Sequence, residues 1–119
     1  MSTPGAAWII VEMAANAPDR GAVLDDIRML TAAPAPLLHQ VERTLADGYA
    51  CTLQIEAERR RLRERLEERA ASLGESPGSE HVVEVAGLAQ GIARTDGELV
   101  ELRAALLKLR ETARRIRAA

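Results

Sequence analysis

Two apolar seams of the same period, one on each side of a single proline-containing loop, constrain this chain more than any other feature. From residue 37 to 73 one seam runs Leu38, Val41, Leu45, Gly48, Thr52, Ile55, Arg59, Leu62, Leu66, Arg69, Leu73. From residue 80 to about 117 a second runs Val85, Leu88, Ile92, Thr95, Leu99, Leu102, Leu106, Leu109, Ala113, Ile116. Steps of three and four in alternation keep a seam on one face of a helix that packs along a neighbour. Between the seams lies Gly74-Glu75-Ser76-Pro77-Gly78-Ser79, the clearest loop in the chain. Folding the chain back about Pro77 brings the seams into register: Leu38 meets Ile116, Leu45 meets Leu109, Ile55 meets Leu99, Leu62 meets Ile92, and Leu66 meets Leu88. Four layers are less apolar: Gly48 with Leu106, Thr52 with Leu102, Arg59 with Thr95, and Arg69 with Val85. Polar layers weaken such a pairing but fix its register.

The rest of the chain supports helices. The 119 residues amount to one domain. Phe is absent, and there is one Trp and one Tyr, so the core must come from Leu, Ile, Val and Ala. Those residues favour packed helices over a β-sandwich. Trp8, Ile9, Ile10, Val11 and Met13 predict a short buried helix over residues 6–15, with Trp8 as a plug over the open end of the hairpin or, alternatively, as an exposed binding anchor. Val23, Leu24, Ile27 and Leu30 predict a second over residues 21–31, with Asp25 and Asp26 in its early turns. Ala33-Pro34-Ala35-Pro36 then breaks the pattern, and Pro36 suits the first position of the next helix. The expected fold is all-α: two short N-terminal helices (residues 1–36) on a long antiparallel helical hairpin, a coiled coil (residues 37–119, loop 74–79). Dimerisation would make a four-helix bundle of it. Ser79 is expected to cap the last helix. Thr95-Asp96-Gly97-Glu98 fits a capping box, and Gly87, Gly91 and Gly97 weaken that helix, so a break near residues 95–97 is one expectation. Close approach of another helix to those glycines is the other.

Each helix of the hairpin carries a second apolar stripe: Ala46, Ala50, Leu53 and Ala57 on the first, Val100, Ala104 and Leu107 on the second. Both stripes fall on the half of the hairpin far from the loop. The N-terminal helices or a second subunit must cover them, which makes Leu53, Ala57, Val100 and Leu107 the candidate partner interface.

Little material is present for chemistry. One cysteine rules out an internal disulfide and a multi-cysteine zinc site. His39 and His81 fall near opposite ends of the hairpin, about 50 Å apart at 1.5 Å per residue, too far to share a metal. Asp25 and Asp26 point about 100° apart on a helix and read as a solvated first turn. Cys51 has no histidine within a turn or two and reads as an unreactive or dimer-flank thiol. Gly87-x-x-x-Gly91 lies inside a helix and lacks the Lys-Ser/Thr of a phosphate loop. The expectation is a protein that is not an enzyme and takes no cofactor or metal.

The net charge is -2, which gives no global pull to nucleic acid or membrane. The two halves differ: residues 1–58 hold eight acids and three bases, residues 59–119 ten acids and thirteen bases. Arg59, Arg60, Arg61, Arg63 and Arg65 are interleaved with glutamates at helical spacing and read as a self-compensated face. Arg103, Lys108, Arg110, Arg114, Arg115 and Arg117 meet only Glu111 in sequence. Arg110, Arg114, Arg115 and Arg117 are therefore the candidate contacts for an anionic partner, although cations are also favoured at a helix C-terminus for the dipole alone. No stretch approaches the ~20 apolar residues of a membrane span, no basic leader is visible, and a free Cys51 suits a reducing compartment. A cytoplasmic location is expected.

Part of the chain has a family resemblance. Pro18-Asp19-Arg20-Gly21-Ala22-Val23-Leu24, followed by Asp26-Ile27, is similar to the pattern that opens the second helix of PadR-type winged-helix regulators. Ala35-Pro36-Leu37-Leu38-His39-Gln40-Val41-Glu42-Arg43, leading to Ala46-Asp47-Gly48-Tyr49, resembles their recognition helix. Glu58-Arg59-Arg60-Arg61 resembles their basic wing. The resemblance covers residues 17–50 and implies a DNA-binding transcriptional regulator with a C-terminal helical dimerisation region. Pro36, Leu37, His39, Gln40 and Arg43 would then face DNA, and the wing would touch phosphate. A wing requires Cys51 to Ile55 as a strand and a helix that stops at Gly48. The other expectation is a hairpin that dimerises or docks a macromolecular partner, and it places Gly48 in mid-helix.

Overall fold

A computed structural model describes residues 19–73 and 78–119 of the chain. The helix expected over residues 6–15, with Trp8, lies outside the described residues, as do residues 74–77 of the loop. Three helices account for nearly all of the rest: α1 Arg20–Ala32, α2 Leu38–Leu73 and α3 Ser79–Ala118. No strand occurs among the described residues. α2 and α3 are 36 and 40 residues long, about 54 and 60 Å at 1.5 Å per residue. They run antiparallel along a particle 63 Å long.

Each boundary has a local cause. Asp19 caps α1 by accepting a 3.2 Å hydrogen bond from the Gly21 amide, which satisfies one of the free donors of the first turn. α1 stops where Ala33 turns extended, because the ring of Pro34 disfavours helical backbone in the residue before it. α2 begins at Leu38, with the Val41 amide bonded to the Leu37 carbonyl at 3.0 Å. Pro36 therefore precedes the helix rather than opening it. Ser79 is already the first residue of α3, Gly78 occupies the cap, and no side chain caps this end.

The seams are buried on the half of the hairpin far from the loop. Val41, Leu45, Ile55, Leu99, Leu102, Leu106, Leu109 and Ala113 are buried, and together with Val23, Ile27 and Cys51 they form the core. Toward the loop the seam thins. Leu62, Leu66 and Ile92 are only half-buried there, and Leu88 is buried. Leu62 lies against Gly91, where a Cβ would sit 3.3 Å from its Cδ1.

α3 does not break near residue 97. Thr95 is fully buried and its hydroxyl donates to the Ile92 carbonyl at 2.8 Å. Asp96 and Glu98 serve neighbouring helices instead of a cap: Arg59 reaches Asp96 at 2.9 Å and Arg20 reaches Glu98 at 2.7 Å. Of the three glycines, Gly91 meets another helix, while Gly87 and Gly97 face open space. Gly48 lies inside α2 and Cys51–Ile55 are helical, so the strand that a wing would need there is not formed.

α1 covers one groove of the hairpin. Val23 and Ile27 enter it, each worth about 1.5–3 kcal/mol of burial. Ile27 reaches Gly48, Arg28 pairs with Glu101 at 2.8 Å, and Arg20 bridges Glu58 and Glu98. This is not the stripe that the sequence marked for cover. Leu53, Val100 and Leu107 remain 66, 70 and 63 % exposed.

Candidate interaction surface

With α1 in one groove, nothing among the described residues covers the opposite groove of the hairpin at the end far from the loop. A cleft of about 320 Å³ lies there, lined by Tyr49, Thr52, Arg103, Leu106, Leu107 and Arg110. Leu53, one turn beyond Tyr49 on α2, and Val100, two turns before Leu107 on α3, are exposed but lie outside the lining of the cleft. Helical spacing explains the gathering. Tyr49 and Leu53 are one turn apart on α2, as are Leu107 and Arg103 on α3. Of the interface residues expected from sequence, Leu53, Val100 and Leu107 are exposed, while Ala57 is half-buried. Tyr49 escaped the sequence reading, although its place one turn before Leu53 was a usable signal.

Charged side chains frame this face. Glu56 accepts from Arg103 at 2.5 Å, and Glu42 from Arg117 at 3.2 Å. Arg117 is thus engaged across the hairpin, which corrects the expectation that the C-terminal run meets only Glu111. Arg114 pairs with Glu111 at 3.3 Å, and Arg115 donates to the Thr112 hydroxyl at 3.3 Å. Arg110 has no carboxylate partner among the described residues. Arg110, Arg114 and Arg117 share one flank of α3, whereas Arg115 points to the α1 side, so the four form no single basic surface.

The arginines of residues 59–65 also behave differently from the expected self-compensation. Among the described residues no ion pair forms along α2 itself. Arg59 pairs across to Asp96 and Arg69 to Glu84 at 3.0 Å. Arg60, Arg61, Arg63 and Arg65 are exposed.

His39, Gln40 and Arg43 are exposed on the first turns of α2. Gln40 and Arg43 share a shallow cleft of about 230 Å³ with Asp26, Met29, Leu30 and Thr44. Asp26 on one side of it repels an anion.

Cys51 is fully buried, beneath α1 and not on a flank open to a second subunit. Burial pushes its thiol pKa up, Glu98 and Asp19 push the same way, and Arg20 opposes them. Burial alone would lower the Arg20 pKa, but hydrogen bonds and charge from Glu58 and Glu98 outweigh it and raise it above the usual arginine value. Arg20 therefore acts as a fixed cation linking all three helices. Among the described residues, no three of His, Cys, Asp and Glu gather as metal ligands. No helix described is long and apolar enough to cross a membrane.

Compared with known proteins, the chain matches no family model, no curated protein and no solved structure.

Proposed function

We propose that this chain is a non-enzymatic interaction protein whose helical hairpin, packed as an antiparallel coiled coil, docks a macromolecular partner through the groove opposite α1. The observation that carries the reading is that Tyr49 and Leu107, 44 and 63 % exposed, line that groove together, with Leu53, 66 % exposed, one turn from Tyr49 on the same helix. Large apolar side chains scattered singly on a surface need no explanation, but a contiguous set rimmed by charge marks an interaction site. The groove geometry suits a helical partner, as α1 in the opposite groove illustrates.

The test is site-specific photocrosslinking in the host that makes the protein. A photoreactive residue replacing Leu107 should give a discrete adduct. The same residue replacing Met29, equally exposed at 67 % but on α1, should give none. No adduct at Leu107, or equal adducts at both positions, would remove the reading.

DNA binding through His39, Gln40 and Arg43, as the PadR resemblance implies, is the competing proposal. What favours it is that all three side chains are exposed on adjacent turns of α2. Footprinting of a discrete operator that depends on these three residues would put it first.

A further inference from the structure

The open face carries a repeat of its own. On α2, Glu42, Tyr49 and Glu56 follow one another at seven-residue intervals, and on α3 so do Arg103, Arg110 and Arg117. A spacing of seven returns each side chain to the same flank of its helix. The antiparallel hairpin brings the two series together as three rungs. The outer rungs are the ion pairs Glu42–Arg117 at 3.2 Å and Glu56–Arg103 at 2.5 Å. The middle rung is Tyr49 with Arg110, both lining the same cleft. The face therefore has an acidic edge along α2, a basic edge along α3, and exposed Leu53 and Leu107 beside them.

We propose that this face is the contact between two copies of the chain, related by a two-fold axis parallel to the hairpin. The inference rests on the docking reading above and names its partner. Two aligned hairpins can be laid face to face about a two-fold axis in one of two directions. An axis across the helices sets α2 on α2 and α3 on α3, so the basic edge of one copy meets the basic edge of the other. An axis along the helices sets α2 over the partner's α3 at the same height. Only the second opposes unlike charges: the Glu42 and Glu56 edge then faces the partner's Arg117 and Arg103. Leu53 faces the partner's Leu107, and Tyr49 meets the partner's Arg110, a cation over an aromatic ring. The contact is self-complementary, as a two-fold interface must be. It buries the exposed leucines in a four-helix bundle, with one α1 on each outer side.

The experiment uses the full chain. Sedimentation equilibrium should give a dimer. Leu53→Cys and Leu107→Cys, prepared separately, mixed in equal amounts and mildly oxidised, should yield mainly the mixed 53–107 disulfide. The native chain, whose Cys51 is buried, should yield no crosslink and serves as the control. Leu107→Glu should weaken association at least about tenfold, which corresponds to 1.4 kcal/mol. Its helical circular dichroism should stay intact, because Leu107 is exposed in the single chain. A monomer at about 100 μM, far above the dissociation constants of most specific complexes, overturns the proposal. So does a predominance of 53–53 and 107–107 links. A monomer that still gives the Leu107 photoadduct in the host transfers the face to a different protein and leaves the docking reading standing. A monomer without that adduct removes both.

Discussion

Gly48 of α2 lies directly beneath Leu106 of α3: a Cβ at Gly48 would stand 2.5 Å from Leu106 Cδ2 and 3.2 Å from Ile27 Cδ1. All three helices thus converge on a residue without a side chain. A seam position that belongs to one of the four less apolar layers in the sequence is filled by side chains from both neighbouring helices. A glycine in mid-helix costs about 1 kcal/mol relative to alanine, and here that cost is offset by the approach of Ile27 and Leu106.

The first prediction contrasts two glycines. Gly48→Ala should destabilise the protein by about 1–3 kcal/mol, since overpacking a filled core outweighs the gain in helix propensity. Gly97→Ala, which meets nothing within 4 Å, should stabilise it by about 0.5–1 kcal/mol. Urea unfolding of the two variants against the parent checks both signs. A stabilising Gly48→Ala would mean that the Leu106 and Ile27 side chains swing aside at little cost.

Arg20 is the second target. It joins α1 to both long helices through Glu58 and Glu98, with about a third of its side chain exposed. Partly exposed ion pairs are worth little singly, so Arg20→Ala should cost only about 1 kcal/mol overall. The local effect should be larger. Hydrogen exchange of the first α1 amides should quicken, while α2 and α3 amides change little. Uniform acceleration across all three helices would show that α1 does not open separately.

Most of the hairpin was legible in the sequence, and the placement of α1 was not. Spacing alone reveals which face of a helix is apolar, and Val41, Ile55, Leu99 and Leu109 could be read from it because burial in a two-helix seam demands period and little else. α1 had two grooves to choose from. The stripe with Leu53, Val100 and Leu107 is the more apolar, yet α1 took the other. What decides is shape and charge: the hollow at Gly48 admits Ile27, Cys51 is small enough to lie beneath the helix, and Glu58, Glu98 and Glu101 stand where Arg20 and Arg28 reach them. Complementarity of that kind joins residues about 40–80 positions apart, and a one-chain periodicity does not reveal it. The candidate face suffered in the same way. Leu53, Val100 and Leu107 were found by stripe, whereas the Glu42–Arg117 and Glu56–Arg103 rungs needed the register of the finished hairpin.

Cys51 gives the third prediction. With its thiol fully enclosed, reaction with a thiol reagent at neutral pH should wait for unfolding and proceed at least about a hundredfold slower than in denaturant. Its folded pKa lies above the unfolded value, so the folded state holds the proton more tightly. The associated stability is complete below the unfolded thiol pKa and declines as pH rises from there toward the folded pKa. Cys51→Ser should flatten this part of the alkaline stability profile. Rapid labelling of the native protein at neutral pH would contradict the burial.

The fourth prediction concerns DNA. Residues 36–47, the helix that the PadR resemblance would place in the groove, carry Arg43 against Glu42 and Asp47. A segment with a net charge near -1 opposes docking on a polyanion. No sequence-specific duplex binding is expected at moderate salt. Six phosphate contacts would instead give a log–log salt slope of about -5, and observing such a slope at a defined operator would reverse the order of the two functional readings.

The last prediction separates folding from association with two leucines only two residues apart. Leu109 is fully buried in the seam, and Leu107 is 63 % exposed on the open face. On a helix such neighbours point about 200° apart, so each reports a different event. Leu109→Ala removes buried methyl groups and leaves a cavity, and should cost about 2–5 kcal/mol of folding stability. Leu107→Ala should change the stability of the isolated chain by no more than about 0.5 kcal/mol, because no core contact is lost. Its effect belongs to association, so melting should be followed over a range of protein concentrations. The parent and Leu109→Ala should both melt at higher temperature as concentration rises, by mass action on the associated form, with Leu109→Ala offset downward throughout. Leu107→Ala should match the parent when dilute and fall below it when concentrated. Identical concentration dependence in parent and Leu107→Ala would show that the open face takes no part in self-association.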